Sequence, residues 1–119
     1  MTKEFVPYEQ ALELKELGFD EPCLGWYQDN TLRLDINSNQ SIKFHEHLGR
    51  FKECFLAPTF SQAFRWFREK HDKLGCIKKA NDRNRFVYLV NDIVFAFYDT
   101  YEDAEIACLI KLIEIVKNK

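Results

Sequence analysis

The chain has 119 residues, of which 46% are apolar, 30% charged and 15% aromatic, and it carries a net charge of −2. That length fits a single domain over residues 1–119, or two halves sharing one core, and leaves no room for separately folded modules. Eleven Phe against three Pro and four Gly exclude a disordered chain, and the near-neutral charge excludes a global footprint for nucleic acid or anionic lipid.

The first helix is expected from Pro7 to Leu17. Pro7 suits the first helical position, Gly18-Phe19 is a helix stop, and Tyr8, Ala11, Leu12 and Leu14 share one stripe. Strands at about residues 24–28 and 31–36 flank Asp29-Asn30, and a third, at about 41–46, follows the polar turn 37–40. A second helix begins after Pro58, with Thr59 as its cap and Gln62 at the capping-box position. Phe60, Ala63, Phe64, Phe67, His71 and Leu74 form its apolar stripe, which ends at Gly75.

Strands at about 76–80, 85–90 and 93–98 come next. Asn91-Asp92 joins the last two, and both residue types tolerate the positive φ of a two-residue hairpin turn. The third helix follows Thr100, has Asp103 at the box position, and runs to about Val116. Ala104, Cys108, Leu112 and Ile115 form one apolar face, and Ile106, Leu109, Ile110 and Ile113 form a second, nearly opposite one. Such a helix is either central to its fold or covered by a partner, which makes Ile106, Ile110 and Ile113 the candidate self-association residues. The resulting order is α-βββ-α-βββ-α, an α+β fold with antiparallel sheets packed against three helices. The Thr-aromatic-x-x-Ala pattern at 59–63 and 100–104 fits a duplicated unit, although both segments are also good helix starts.

No apolar run of signal-peptide length follows Lys3, and the uncharged stretch Ile93–Tyr98 is only about a third of a bilayer span. A cytoplasmic protein without membrane contact is expected. Cys23, Cys54, Cys76 and Cys108 are spaced by 31, 22 and 32 residues, with no CxxC pair. Four reduced, mostly buried thiols fit that spacing better than a disulfide framework.

The runs LGFDEPC at 17–23, LAPTFSQAFRWFREK at 56–70 and TYEDAEIACLIKLIEIVK at 100–117 resemble a group of small uncharacterised proteins of tailed phages and bacterial prophages. The resemblance spans most of the chain and is weakest from Asp29 to Lys52. It brings no activity, cofactor or catalytic residue with it. What it implies is a bacterial-cytoplasmic setting and a non-structural accessory role.

His45-x-His47 places two imidazoles on one face of a strand, with Cys54 nearby, but zinc needs three or four ligands in closed geometry. His71 falls on the apolar stripe of its helix, where a core histidine is the plainer reading. No metal or cofactor is expected. Neither a nucleophile elbow, nor a Walker loop, nor G-x-G-x-x-G is present, so no residue pattern points to an enzyme.

Charge distribution says more. Arg65, Arg68, Lys70, Lys73, Lys78, Lys79, Arg83 and Arg85 are opposed only by Glu69, Asp72 and Asp82, whereas residues 1–40 hold eight acids against Lys3, Lys15 and Arg33. Trp66 lies off the apolar stripe, between Arg65 and Arg68, and is expected as an exposed aromatic. Arg65, Trp66, Arg68, Lys78, Lys79, Arg83 and Arg85 are therefore the candidate binding residues. They suit a protein-binding face, a face for nucleic acid or a nucleotide-like anion, or simply a solvated surface. The expected function is a non-enzymatic binding protein of the bacterial cytoplasm, monomer or homodimer, that occupies a host macromolecule. A nucleic-acid or nucleotide-like anion binder is the alternative.

Overall fold

A computed structural model describes residues 4–28, 31–34, 54–80 and 84–118, with the side chain of Cys54 left out. The elements are α1 (Tyr8–Glu16), β1 (Gly25–Gln28), β2 (Thr31–Leu34), β3 (Cys54–Ala57), α2 (Phe60–His71), β4 (Gly75–Lys79), β5 (Phe86–Val90), β6 (Ile93–Tyr98) and α3 (Tyr101–Lys117). The order is α-βββ-α-βββ-α, as expected, and both sheets are antiparallel. The chain divides into two compact units, Met1–Thr59 and Phe60–Lys119. The element order repeats between the two sheets, but the strand order does not: it is β2-β1-β3 in the first and β4-β5-β6 in the second.

In the first unit, α1 starts one residue later than expected, with Pro7 in extended geometry as the N-cap. Its end follows the glycine stop closely. Gly18 has φ +101, its amide donates to the Lys15 carbonyl, and the Phe19 amide donates to the Leu14 carbonyl at 2.9 Å. These are the two bonds of a Schellman cap, and Phe19 is buried beyond it. Tyr8, Tyr27 and Phe55 form an aromatic cluster with ring centroids 5.1 to 5.8 Å apart. Tyr27 Oη donates a buried 2.8 Å hydrogen bond to the Val6 carbonyl. The Val6 amide in turn donates to the Pro58 carbonyl at 2.9 Å, which ties the N-terminal segment to the end of β3.

The third strand of this sheet, Cys54–Ala57, was not among the expected elements. The expected strand at about 41–46 and the turn before it lie outside the described residues.

In the second unit, β4, β5 and β6 form a meander. Its β5–β6 turn has the expected geometry, with φ of +52 at Asn91 and +68 at Asp92. Asn91 also holds the α2–β4 connection: its Oδ1 accepts from the Leu74 amide at 2.8 Å, and its own amide donates to the Leu74 carbonyl at 2.9 Å. That connection explains why α2 stops at His71 and not at Leu74. Asp72 turns into the left-handed region at φ +55, which Asp adopts at modest cost, and Leu74 is pulled toward the hairpin turn.

Thr100 caps α3 as expected, its Oγ1 accepting from the Asp103 amide at 3.1 Å. Along α3, Ala104, Cys108, Leu109, Leu112 and Ile113 are buried. The helix packs on the sheet and against α2.

Tyr27→Phe deletes the side-chain donor to the Val6 carbonyl while leaving the aromatic cluster in place. The expected cost is about 1–3 kcal/mol, the range for a buried acceptor that loses its partner. Urea unfolding of the variant checks it, and an unchanged midpoint would contradict the role given to this bond.

Candidate functional site

The basic residues are spread over α2, β4 and the position just before β5. Arg65 and Arg68 are exposed on α2, and Arg65 Nε lies 3.6 Å from Glu69 Oε1, one turn on. Lys78 and Lys79 are exposed on β4 as consecutive strand residues, so they leave the sheet on opposite faces. Arg85 is exposed beside β5, with Nε 4.0 Å from Asp99 Oδ1. Both ion pairs are solvated and weak. Arg83 lies outside the described residues.

Trp66 corrects the sequence reading. It is 4% exposed, and its ring packs edge-on against Phe67 at 5.1 Å and His71 at 4.8 Å. The buried arc of α2 holds Phe60, Ala63, Trp66 and Phe67, while Phe64 is only half-buried. The arc is thus centred on Ala63. That rotation brings position 66 inside and moves position 64 to the edge. Trp66 is a core residue and offers no aromatic surface between the two arginines.

The isoleucine set on α3 is likewise split. Ile113 is 2% exposed and Ile106 half-buried, while Ile110 is 43% exposed. With the sheet on one side and α2 on another, the second apolar face is largely used within the chain. Ile113 therefore cannot belong to an exposed self-association stripe.

Cys23, Cys76 and Cys108 form no disulfide. Cys108 is fully buried, its Sγ 3.9 Å from the Leu89 carbonyl, and burial pushes its thiol from an ordinary 9.0 up to about 12. A thiol held that high is protonated near neutral pH and is not an activated nucleophile. The His45, His47 and Cys54 grouping falls outside the described side chains. Among the described residues, no group of three or more His, Cys, Asp or Glu is placed to hold a metal ion.

Among the described residues, one group of exposed apolar side chains was not singled out by the sequence reading. Ile93, Val94, Phe95 and Phe97 of β6 are between 39% and 61% exposed. Strand β6 is the edge of its sheet, hydrogen-bonded to β5 alone among the described residues. Its register shifts between Tyr88↔Ala96 and Leu89↔Val94, which leaves Phe95 as the extra residue of a bulge. The Phe95 ring stacks on Tyr88 at 5.6 Å and lies beneath Lys111 Nζ at 5.0 Å, and Lys111 also reaches Glu114 at 3.2 Å. Phe86 meets Tyr101 of α3 at 5.9 Å, so Phe86 and Tyr88 mark the helix side of the sheet. By strand alternation Val87 and Leu89 point the other way, and so do their cross-strand partners Phe97 and Val94. Burial raises the Tyr88 hydroxyl above its ordinary value, as do the neighbouring Tyr98, Cys108 and Glu114.

The available signal for this surface was the charge-free run Ile93–Tyr98 at the end of a meander, where a strand has a neighbour on one side only. No protein-family model matches the chain, and neither a curated protein nor a solved structure shows significant similarity to it. No described helix is long and apolar enough to cross a membrane.

The raised Cys108 thiol has a signed consequence for stability. In the unfolded chain it releases its proton near pH 9, and in the folded chain near 12, so the folded state holds the proton longer. Stability is therefore unaffected below about pH 9 and falls as pH rises from there toward 12. Melting temperatures across that window should drop less steeply for Cys108→Ala than for the wild-type protein. Equal slopes would contradict the assignment.

Proposed function

We propose that the chain is a non-enzymatic binding protein that acts on a host macromolecule in the bacterial cytoplasm, with a protein as its partner. The observation that carries the reading is the exposed apolar surface of β6. Val94 and Phe97 share the face of the sheet away from α3, and large apolar side chains left in water on a small domain commonly mark an interaction site. The cellular setting follows from the resemblance to phage and prophage proteins.

A second reading has its own observation: Arg65, Arg68, Lys78, Lys79 and Arg85 are all exposed, as a phosphate-binding surface requires. Their placement on separate elements and opposite sheet faces favours it less.

Paired variants separate the readings. Val94→Lys with Phe97→Lys should abolish capture of the partner from bacterial lysate, whereas Arg65→Glu with Arg68→Glu should leave capture intact. All four residues are exposed, so each double variant should keep the fold within about 1 kcal/mol. Retention of the wild-type protein on heparin, lost in the arginine variant, would favour the nucleic-acid reading instead.

A further inference from the structure

The edge of β6 has a chemistry of its own, built from an apolar centre and acidic ends. From Ile93 to Tyr98 no residue is charged, and four of the six side chains are exposed. Asp92 stands exposed in the turn before the strand, and Asp99 stands exposed directly after it. Glu102 and Asp103 are exposed on the first turn of α3, immediately beyond. Residues 91–103 thus carry four acids and no Lys, Arg or His. Two bases reach this region among the described residues: Arg85, 4.0 Å from Asp99, and Lys111, which sits over Phe95 and pairs with Glu114.

We infer that β6 takes an extended protein segment as an added strand, and that this segment is apolar in the middle and carries Lys or Arg at both ends. The inference rests on the protein-binding reading above and names the mode and the partner's chemistry. An edge strand presents a row of backbone N–H and C=O groups along its free side, which an incoming strand pairs with irrespective of sequence. Specificity then comes from side chains. Val94 and Phe97 supply apolar contacts on the face away from α3, while Asp92 and Asp99 set the charge at the two ends.

The same charges argue against a second copy of this chain. Full-length antiparallel pairing of β6 with its own copy places Ile93 opposite Tyr98 and therefore Asp92 opposite Asp99. That puts like charges together at both ends, and directly opposed like charges destabilise a strand pair. A segment with basic ends turns the same two positions into attractive pairs.

The test uses two capped decapeptides of alternating valine and threonine, one with two lysines at each end and one with glutamates in their place. The lysine-flanked peptide should bind the full chain about tenfold or more tighter than the glutamate-flanked one, and added salt should weaken it. In Asp92→Asn with Asp99→Asn, which keeps a residue suited to positive φ at position 92, the two peptides should bind within about twofold of each other. Amide exchange should slow across Ile93–Tyr98 when the lysine peptide binds. Failure of both peptides to bind, or binding that slows exchange on α2 instead, would overturn strand addition. A wild-type dimer that Phe97→Lys dissolves would overturn it too, by making a second copy the occupant. If the peptides fail while lysate capture remains sensitive to Val94→Lys with Phe97→Lys, strand addition falls and the protein-binding reading stands. If that capture is absent as well, both fall.

Discussion

A Cβ at position 75 would meet Leu112 Cδ1 at 2.9 Å and Cys108 Sγ at 3.0 Å, so the approach of α3 to β4 depends on that position having no side chain. The second unit is arranged around this contact. Because α3 can lie close to the start of β4, it covers the face of the sheet that carries Phe86 and Tyr88, and its other side is free to pack on α2. Cys108 fills the contact as a small apolar residue, and the same burial keeps its thiol protonated. One consequence reaches the surface. With both helices of the unit packed together, Val94 and Phe97 at the edge strand are left exposed.

The elements governed by short-range chemistry were legible in the sequence. Gly18 at positive φ, the Asn91-Asp92 turn and the Thr100 cap are each decided by a few neighbouring residues, and each is found where local chemistry puts it. Features set by tertiary packing were harder to read. Helical spacing placed Trp66 outside the stripe, because Phe64 and His71 pulled the expected arc to one side. Packing instead centres the arc on Ala63. For the same reason Ile113 reads as part of an outer face but is buried once α2 lies alongside. Strand β3 is short, and Cys54–Ala57 lacks the polar alternation of a half-buried strand, so its pairing with β1 shows only in three dimensions.

The candidate site was legible only in part. Exposure of Arg65, Arg68, Lys78, Lys79 and Arg85 follows directly from their charge. What the charges obscured was the apolar strand at the far edge of the sheet. A run such as Ile93–Tyr98 reads as core by composition, and only its place as the last strand of the meander makes it surface. The bulge at Phe95 and the acids at both ends are also devices that keep such an edge from pairing indiscriminately. Their placement narrows the partners that β6 accepts.

Strand addition at β6 requires that β6 be a free edge in the isolated chain. Residue-resolved amide hydrogen exchange tests that requirement directly. A free edge predicts alternation along Ile93–Tyr98, with amides bonded to β5 protected and those directed outward exchanging quickly, while the central strand β5 is protected throughout. Uniform protection of all six β6 amides at the level of β5 would mean that another segment already covers the edge, and would contradict the account.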